Sequence, residues 1–147
     1  METLKIRKVS ENAIIPKRAT GGSAGLDLCA CIDAPITLNG GETALIPTGL
    51  AIELPSAEYG AFVFARSGLA IKHGIGLLNA VGVIDSDYRG EIKVGVINQI
   101  GEVYTIEPGE RVAQMVILPV SMMPVEEVET LGETDRGAGG FGSTGTK

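Results

Sequence analysis

Apolar residues in this chain come in short runs, alternating with polar ones, and most runs end at glycine or proline. No other feature constrains the fold as strongly. "ETALIPTGLAIELP" alternates and is broken by Pro47-Thr48-Gly49, which predicts two short strands around a turn. "GAFVFA" predicts a short apolar strand, and "GEIKVGVIN" one with Ile92, Val94 and Val96 on a single face. "ERVAQMVILPV" predicts a longer strand introduced by the turn "EPGE". Glycine supplies 21 of 147 residues, about twice the usual ~7% share, which suits many tight turns and few long helices. The expectation is one all-β domain, a sandwich or barrel, with no internal repeat.

One segment breaks the pattern. "RSGLAIKHG" predicts a helix of about one and a half turns, too short to persist without tertiary contacts. Ser67 is its expected N-cap, Lys72 and His73 fall in its last turn, and Gly74 ends it. His73 is the sole histidine and sits at a helix end, so nothing supports a histidine-based triad. Cys29 and Cys31 share a strand face, where a disulfide would be strained, and two ligands do not make a zinc site. Buried free thiols in a reducing compartment are expected. The opening "METLKIRKVS" carries charge where a leader needs an apolar run, and no stretch approaches a membrane span, so a cytoplasmic protein without a membrane partner is expected.

The formal charge of -6 argues against a broad basic surface for nucleic acid. Acid concentrates at Glu126, Glu127, Glu129, Glu133 and Asp135, which reads as a solvated connector. Arg66, Arg89 and Arg136 stand beside or one residue from glycine. Guanidinium next to accessible backbone N–H is the makeup of a local anion site, though for any one arginine alone a turn brace is the favoured reading.

Five stretches hold groups that can do chemistry. In "SAGLDLCA", Asp27 interrupts a small and apolar strand, either as an N–H acceptor in a turn or at a site rim. In "ARSGLA", Arg66 precedes the helix start, and Ser67 and Gly68 allow an anion to approach unpaired amides. "LNAVGVIDSDYRGEIKV" predicts a hairpin-like loop from Ile75 to Ile84, followed by the flat ring of Tyr88 and by Asp85 and Asp87, whose i, i+2 spacing lets them share a face as in a metal site or a solvated turn. In "PGERVAQMVILPV", period two places Gln114 with Val112, Val116 and Leu118, so its amide needs a main-chain or ligand partner. The tail "TDRGAGGFGSTGTK" matches G-x-G-x-x-G literally but lacks the strand–turn–helix setting of a dinucleotide site. A terminal Gly/Ser/Thr tract is disordered by default, whereas an isolated arginine and phenylalanine within it point to a lid that orders on binding.

Taken in order, "AGLDL", "RSGLA", "GVIDSDYRGEI", "PGERVAQM" and "RGAGGFGSTG" resemble the five motifs of the trimeric deoxyuridine triphosphatase (dUTPase) family, over nearly the whole chain from Ala24 to Thr144. The resemblance implies a jelly-roll-like β-clip spanning 1–133 and a glycine-rich arm, 134–147, that closes over the site. It implies a homotrimer whose sites are each shared by three subunits. It also implies Mg²⁺-assisted hydrolysis of dUTP to dUMP and pyrophosphate, which limits uracil in DNA and supplies dUMP for thymidylate synthesis.

Residue by residue, the resemblance makes Asp85 the group that orients and activates the attacking water. Tyr88 lies beneath the sugar, Asn79 with the backbone near Val83 and Ile84 reads the uracil edge, and Lys93 adds a main-chain contact. Arg66, Ser67, Gly68 and Gln114 face the phosphates. Arg136, Gly142, Ser143 and Thr144 reach them from the arm, where Phe141 stacks on uracil. Mg²⁺ is held mainly by the triphosphate, with Asp27 supporting its surroundings indirectly. Leu26 and Ala65 depart from residues common in the family without removing a functional group. Two other functions share such a fold: a dCTP deaminase, and a binding module without turnover.

Overall fold

The computed structural model describes residues 2–145. Among them the elements run β1 (Lys5–Lys8), β2 (Leu26–Cys29), β3 (Ile36–Leu38), β4 (Thr43–Pro47), β5 (Leu50–Glu53) and β6 (Tyr59–Phe64). Then come α1 (Ser67–His73), β7 (Ile75–Leu77), β8 (Gly82–Ile84), β9 (Lys93–Asn98), β10 (Tyr104–Ile106) and β11 (Arg111–Pro119). The strands pair antiparallel in four sheets, ordered β1-β5, β10-β3, β2-β11-β6-β8 and β4-β9-β7. This is the expected all-β, jelly-roll-like sandwich with one short helix.

The alternation seen in the sequence explains the packing. Inward positions from every sheet meet in one core, with Leu28, Leu38, Ile46, Leu50, Val94, Ile106 and Met115 each at most 3% exposed. Two polar side chains are buried with them, and both are fully bonded. Asn98 donates to the carbonyls of Leu38 and Glu102 and accepts from Ile100 N–H. Thr48 donates to Ile92 O at 2.6 Å and accepts from Leu50 N–H. They tie loops to strands where an unpaired amide or hydroxyl would be costly.

The helix ends as expected. Gly74 adopts φ +67°, in the left-handed region, and its N–H returns to Ala70 O. Its start differs. Arg66, not Ser67, is the N-cap residue, and no side chain caps the first turn. Ser67 lies one place inside the helix because Arg66 still has the extended backbone of the preceding strand. The apolar Leu69 anchors α1 on the core while Ile71 faces outward. At its last turn His73 packs on Tyr104, ring centroids 4.8 Å apart. Burial pushes the Tyr104 hydroxyl up to about 12, reinforced by its hydrogen bond to Glu110 and that carboxylate's charge.

Three further expectations change. β7 and β8 do not form a hairpin; β7 pairs with β9 and β8 with β6. Between them Ala80 takes φ +61° and Val81 N–H bonds Asn79 O, so a tight bend throws the chain from one sheet to another. In β11 a register shift between Arg111 and Ala113 buries both Val112 and Ala113. Gln114 therefore shares the more open face with Val116 and Leu118 but not with Val112. Cys29 and Cys31 are free thiols, but half-buried rather than buried. Cys29 ends β2 within reach of the charges of Asp27, Arg111 and Arg66, while Cys31 lies beyond the strand with its sulfur against Gly49.

Beyond β11 the described chain runs out from the body, and Glu126, Glu127, Glu129, Glu133 and Asp135 are all exposed, as a solvated connector should be. No helix of the described residues is long and apolar enough to cross a membrane.

Candidate active site

β11 is hydrogen-bonded on both sides, and its register builds half of the site. Gln114 stands opposite Asp27 on β2 and opposite Phe64 on β6. Three segments far apart in sequence are thereby brought into one row. Gln114 donates from Nε2 to the carbonyl of Ala65, 3.0 Å away, which answers the need for a partner with main chain. Arg66 follows directly, and its Nε donates to Asp27 Oδ1 at 3.0 Å. Arg111 donates from Nη1 to the other carboxylate oxygen at 3.3 Å, and its own carbonyl accepts from Arg66.

The result is an open pocket of about 340 Å³ lined by Asp27, Arg66, Ser67, Gly68, Arg111 and Gln114. One carboxylate against two guanidiniums leaves net positive charge, and Ser67 and Gly68 keep the wall low. That arrangement attracts and orients an anion such as a phosphate. Asp27 has both oxygens engaged by arginine, and among the described residues no three His, Cys, Asp or Glu side chains gather as a metal cage. Its chemistry is that of an arginine holder.

Asp27→Asn removes the charge that aligns both guanidiniums. For a pair this exposed, with Arg111 at 55%, the expected result is a rise in substrate KM of roughly three- to tenfold, with kcat less affected. Steady-state kinetics of the variant checks this; an unchanged KM would remove Asp27 from the site.

The second half forms where the β8 edge of the four-stranded sheet meets β7 and β9. A cleft of about 240 Å³ opens there, with Val63, Leu77 and Val83 as apolar wall. Asn79, Asp85, Tyr88 and Lys93 bring polar groups to it, and Ile84 leads into Asp85. The chain turns at once after β8, with Tyr88 N–H returning to Asp85 O at 3.2 Å, so carboxylate and ring share one mouth. Tyr88 donates its hydroxyl to Glu91 O at 2.9 Å. Asp87 is exposed on the same turn and does not line the cleft. A flat, partly apolar cleft with hydrogen-bonding edges suits an aromatic base and its sugar.

The two halves have no lining residue in common. The arm's described residues, 134–145, line neither. Its hydrogen bonds among the described residues are internal turns, such as Gly137 N–H to Thr134 O and Arg136 Nε to Gly139 O. Phe141 is fully exposed at φ +51°, and Gly142, Ser143 and Thr144 are exposed beside it. The three glycine-flanked arginines thus do not converge within one chain. Arg66 lines the anion pocket, Arg136 lies on the arm, and Arg89 is the turn brace, bonded to the carbonyls of Ser86 and Tyr88.

Two residues escape a reading by motif. Arg111 opens a strand, where a charge reads as solvated; only the pairing of β11 with β2 shows it to be the second arginine on Asp27. Glu91 lines the cleft and accepts from Gly49 N–H at 2.9 Å, with Lys93 Nζ 3.8 Å from its other oxygen. Its one sequence signal is its place directly after "DYRG".

A β-sandwich with a base-sized cleft and a separate arginine-lined anion pocket defines a nucleotide-binding β protein. Comparison with known families narrows that class: the dUTPase family profile matches residues 11–145. The chain belongs to the dUTPase family. It is 59% identical to a deoxyuridine 5'-triphosphate nucleotidohydrolase of Desulfitobacterium hafniense over 131 residues, 89% of this chain and 87% of the relative. The Burkholderia thailandensis protein of the same description is 53% identical over 142 residues, covering 97% and 96%. Among solved structures, the dUTPase of Staphylococcus bacteriophage 80alpha with dUPNHPP superposes with a TM-score of 0.88 at 29% identity, covering 97% of this chain and 98% of that one. A mutant dUTPase from phage phi11 of S. aureus, described with the coordination of a structural Mg(II) ion, gives 0.77 at 27% identity over 87% and 97%.

Proposed function

We infer that this chain hydrolyses dUTP to dUMP and pyrophosphate. The observation that carries the reading is the grouping of Asn79, Asp85 and Tyr88 around one cleft, with Arg66, Arg111 and Gln114 around a second, anion-attracting pocket. Base and sugar enter the cleft. Asn79 and the backbone at Val83 and Ile84 take the uracil edge, Tyr88 underlies the deoxyribose, and Lys93 contributes through its main chain. Arg66, Ser67, Gly68 and Gln114 receive phosphate oxygens.

Asp85 holds a water against the α-phosphorus and takes its proton as the new P–O bond forms and pyrophosphate leaves. A carboxylate is the suitable base in a site without histidine. Mg²⁺ would be held mainly by the substrate's triphosphate rather than by side chains of this chain, and would supply neutralisation of the phosphate charge. The chain's own part is positioning and electrostatic stabilisation.

The separation of the two pockets within one chain supports a site assembled from neighbouring copies in a homotrimer. Each copy's 134–147 arm then serves as the lid, bringing Arg136, Gly142, Ser143 and Thr144 to the phosphates and Phe141 to the base.

Pyrophosphate release with Mg²⁺, comparing dUTP, dTTP, dCTP and UTP at equal concentration, tests the reading. Release from dUTP alone is expected. Ammonia from dCTP would indicate a deaminase, and no product from any of the four by a folded protein would leave a binding module.

A further inference from the structure

We propose that Gly90 is a positioning residue for sugar discrimination: its missing side chain is what allows Tyr88 to lie where a ribose 2′-hydroxyl is excluded. The proposal rests on the reading of Tyr88 as the surface beneath the sugar. A methyl group built on the Gly90 α-carbon would run into the Tyr88 hydroxyl oxygen and stand 2.6 Å from Cζ and 3.0 Å from Cε2. Real Cβ atoms do not approach so closely, and the obstructing group is the tip of a rigid ring rather than a flexible chain. With alanine at this position the ring has to swing away.

What the ring would leave is a built seat. Its hydroxyl is held by Glu91 O at 2.9 Å. Glu91 is itself anchored, because its carboxylate accepts from Gly49 N–H at 2.9 Å in the turn between β4 and β5. Behind it the loop is braced by Arg89, which donates to Ser86 O and Tyr88 O. The hydroxyl is thus spent on main chain, and what Tyr88 offers a substrate in the cleft is ring surface. A ring surface rejects an added hydroxyl by shape alone, so selectivity depends on how firmly the ring is placed. Gly90 sets that placement without touching substrate.

The test measures kcat/KM for dUTP and for UTP, with Mg²⁺, in wild type, Gly90→Ala, Tyr88→Ala and the double variant, with thermal melts alongside. Gly90→Ala is expected to lower the dUTP/UTP ratio by on the order of tenfold. It should add nothing further in the Tyr88→Ala background, since its effect runs through the ring. A lowered ratio in Tyr88→Ala with a wild-type ratio in Gly90→Ala would overturn the proposal and leave the role of Tyr88 standing. An unchanged ratio in Tyr88→Ala would overturn that role, and the proposal with it. Equal, additive losses would also overturn it, because Gly90 would then act independently of Tyr88. Should Gly90→Ala alone not fold, the double variant decides. Recovery of folding once the ring is gone supports the steric cause; persistent misfolding refutes it.

Discussion

Asp85→Asn is expected to bind an imido analogue of dUTP with nearly wild-type affinity while losing about 10²–10⁴-fold in kcat, the usual worth of a positioned general base. The amide keeps the size and one acceptor of the carboxylate but cannot take a proton. Asp85 is exposed at the mouth of the cleft, directly after β8, and among the described residues it carries no ion pair that its loss would break. The melting temperature should therefore hold, and binding by calorimetry with turnover by pyrophosphate release separates the two effects. Wild-type turnover in the variant would remove Asp85 from the chemistry.

Deletion of 134–147 should lower kcat/KM by about 10²-fold or more, comparable to losing a preorganised donor to developing charge. Assembly and melting temperature should stay unchanged. The physical reason is visible in the open arm, whose hydrogen bonds among the described residues are internal and whose Phe141 is fully exposed, contributing nothing to the core. On the proposed lid reading, a polyphosphate gives Arg136 and the arm's backbone amides partners outside the arm. A truncated protein with unimpaired turnover would refute the lid, and one that unfolds would make the arm structural.

Part of this site is legible in short stretches of sequence. The grouping of Asp85 and Tyr88 needs only a sharp turn after a strand, and "IDSDYRG" contains the turn residues for it. Arg66 beside Ser67-Gly68 is likewise local. The expected cap at Ser67 falls one position late, since the backbone is extended only through Arg66 and is already helical at Ser67. The expected hairpin between Ile75 and Ile84 fails for a related reason. Two apolar runs joined by a short polar loop look alike whether they pair with each other or, as here, with β9 and β6.

The sequence by itself determined the strand-rich architecture, the helix stop at Gly74 and which polar groups are on offer at the candidate site, because these follow from side-chain period, backbone freedom and functional-group chemistry within a few residues. The tertiary structure alone decided which segments meet. The register of β11 against β2 and β6 places Gln114 between Asp27 and Phe64, and with them Arg111 on Asp27. The fold of the loop around Gly90 decides where the Tyr88 ring lies. Register and close approach depend on residues tens of positions apart finding the same core, and no local pattern encodes that distance.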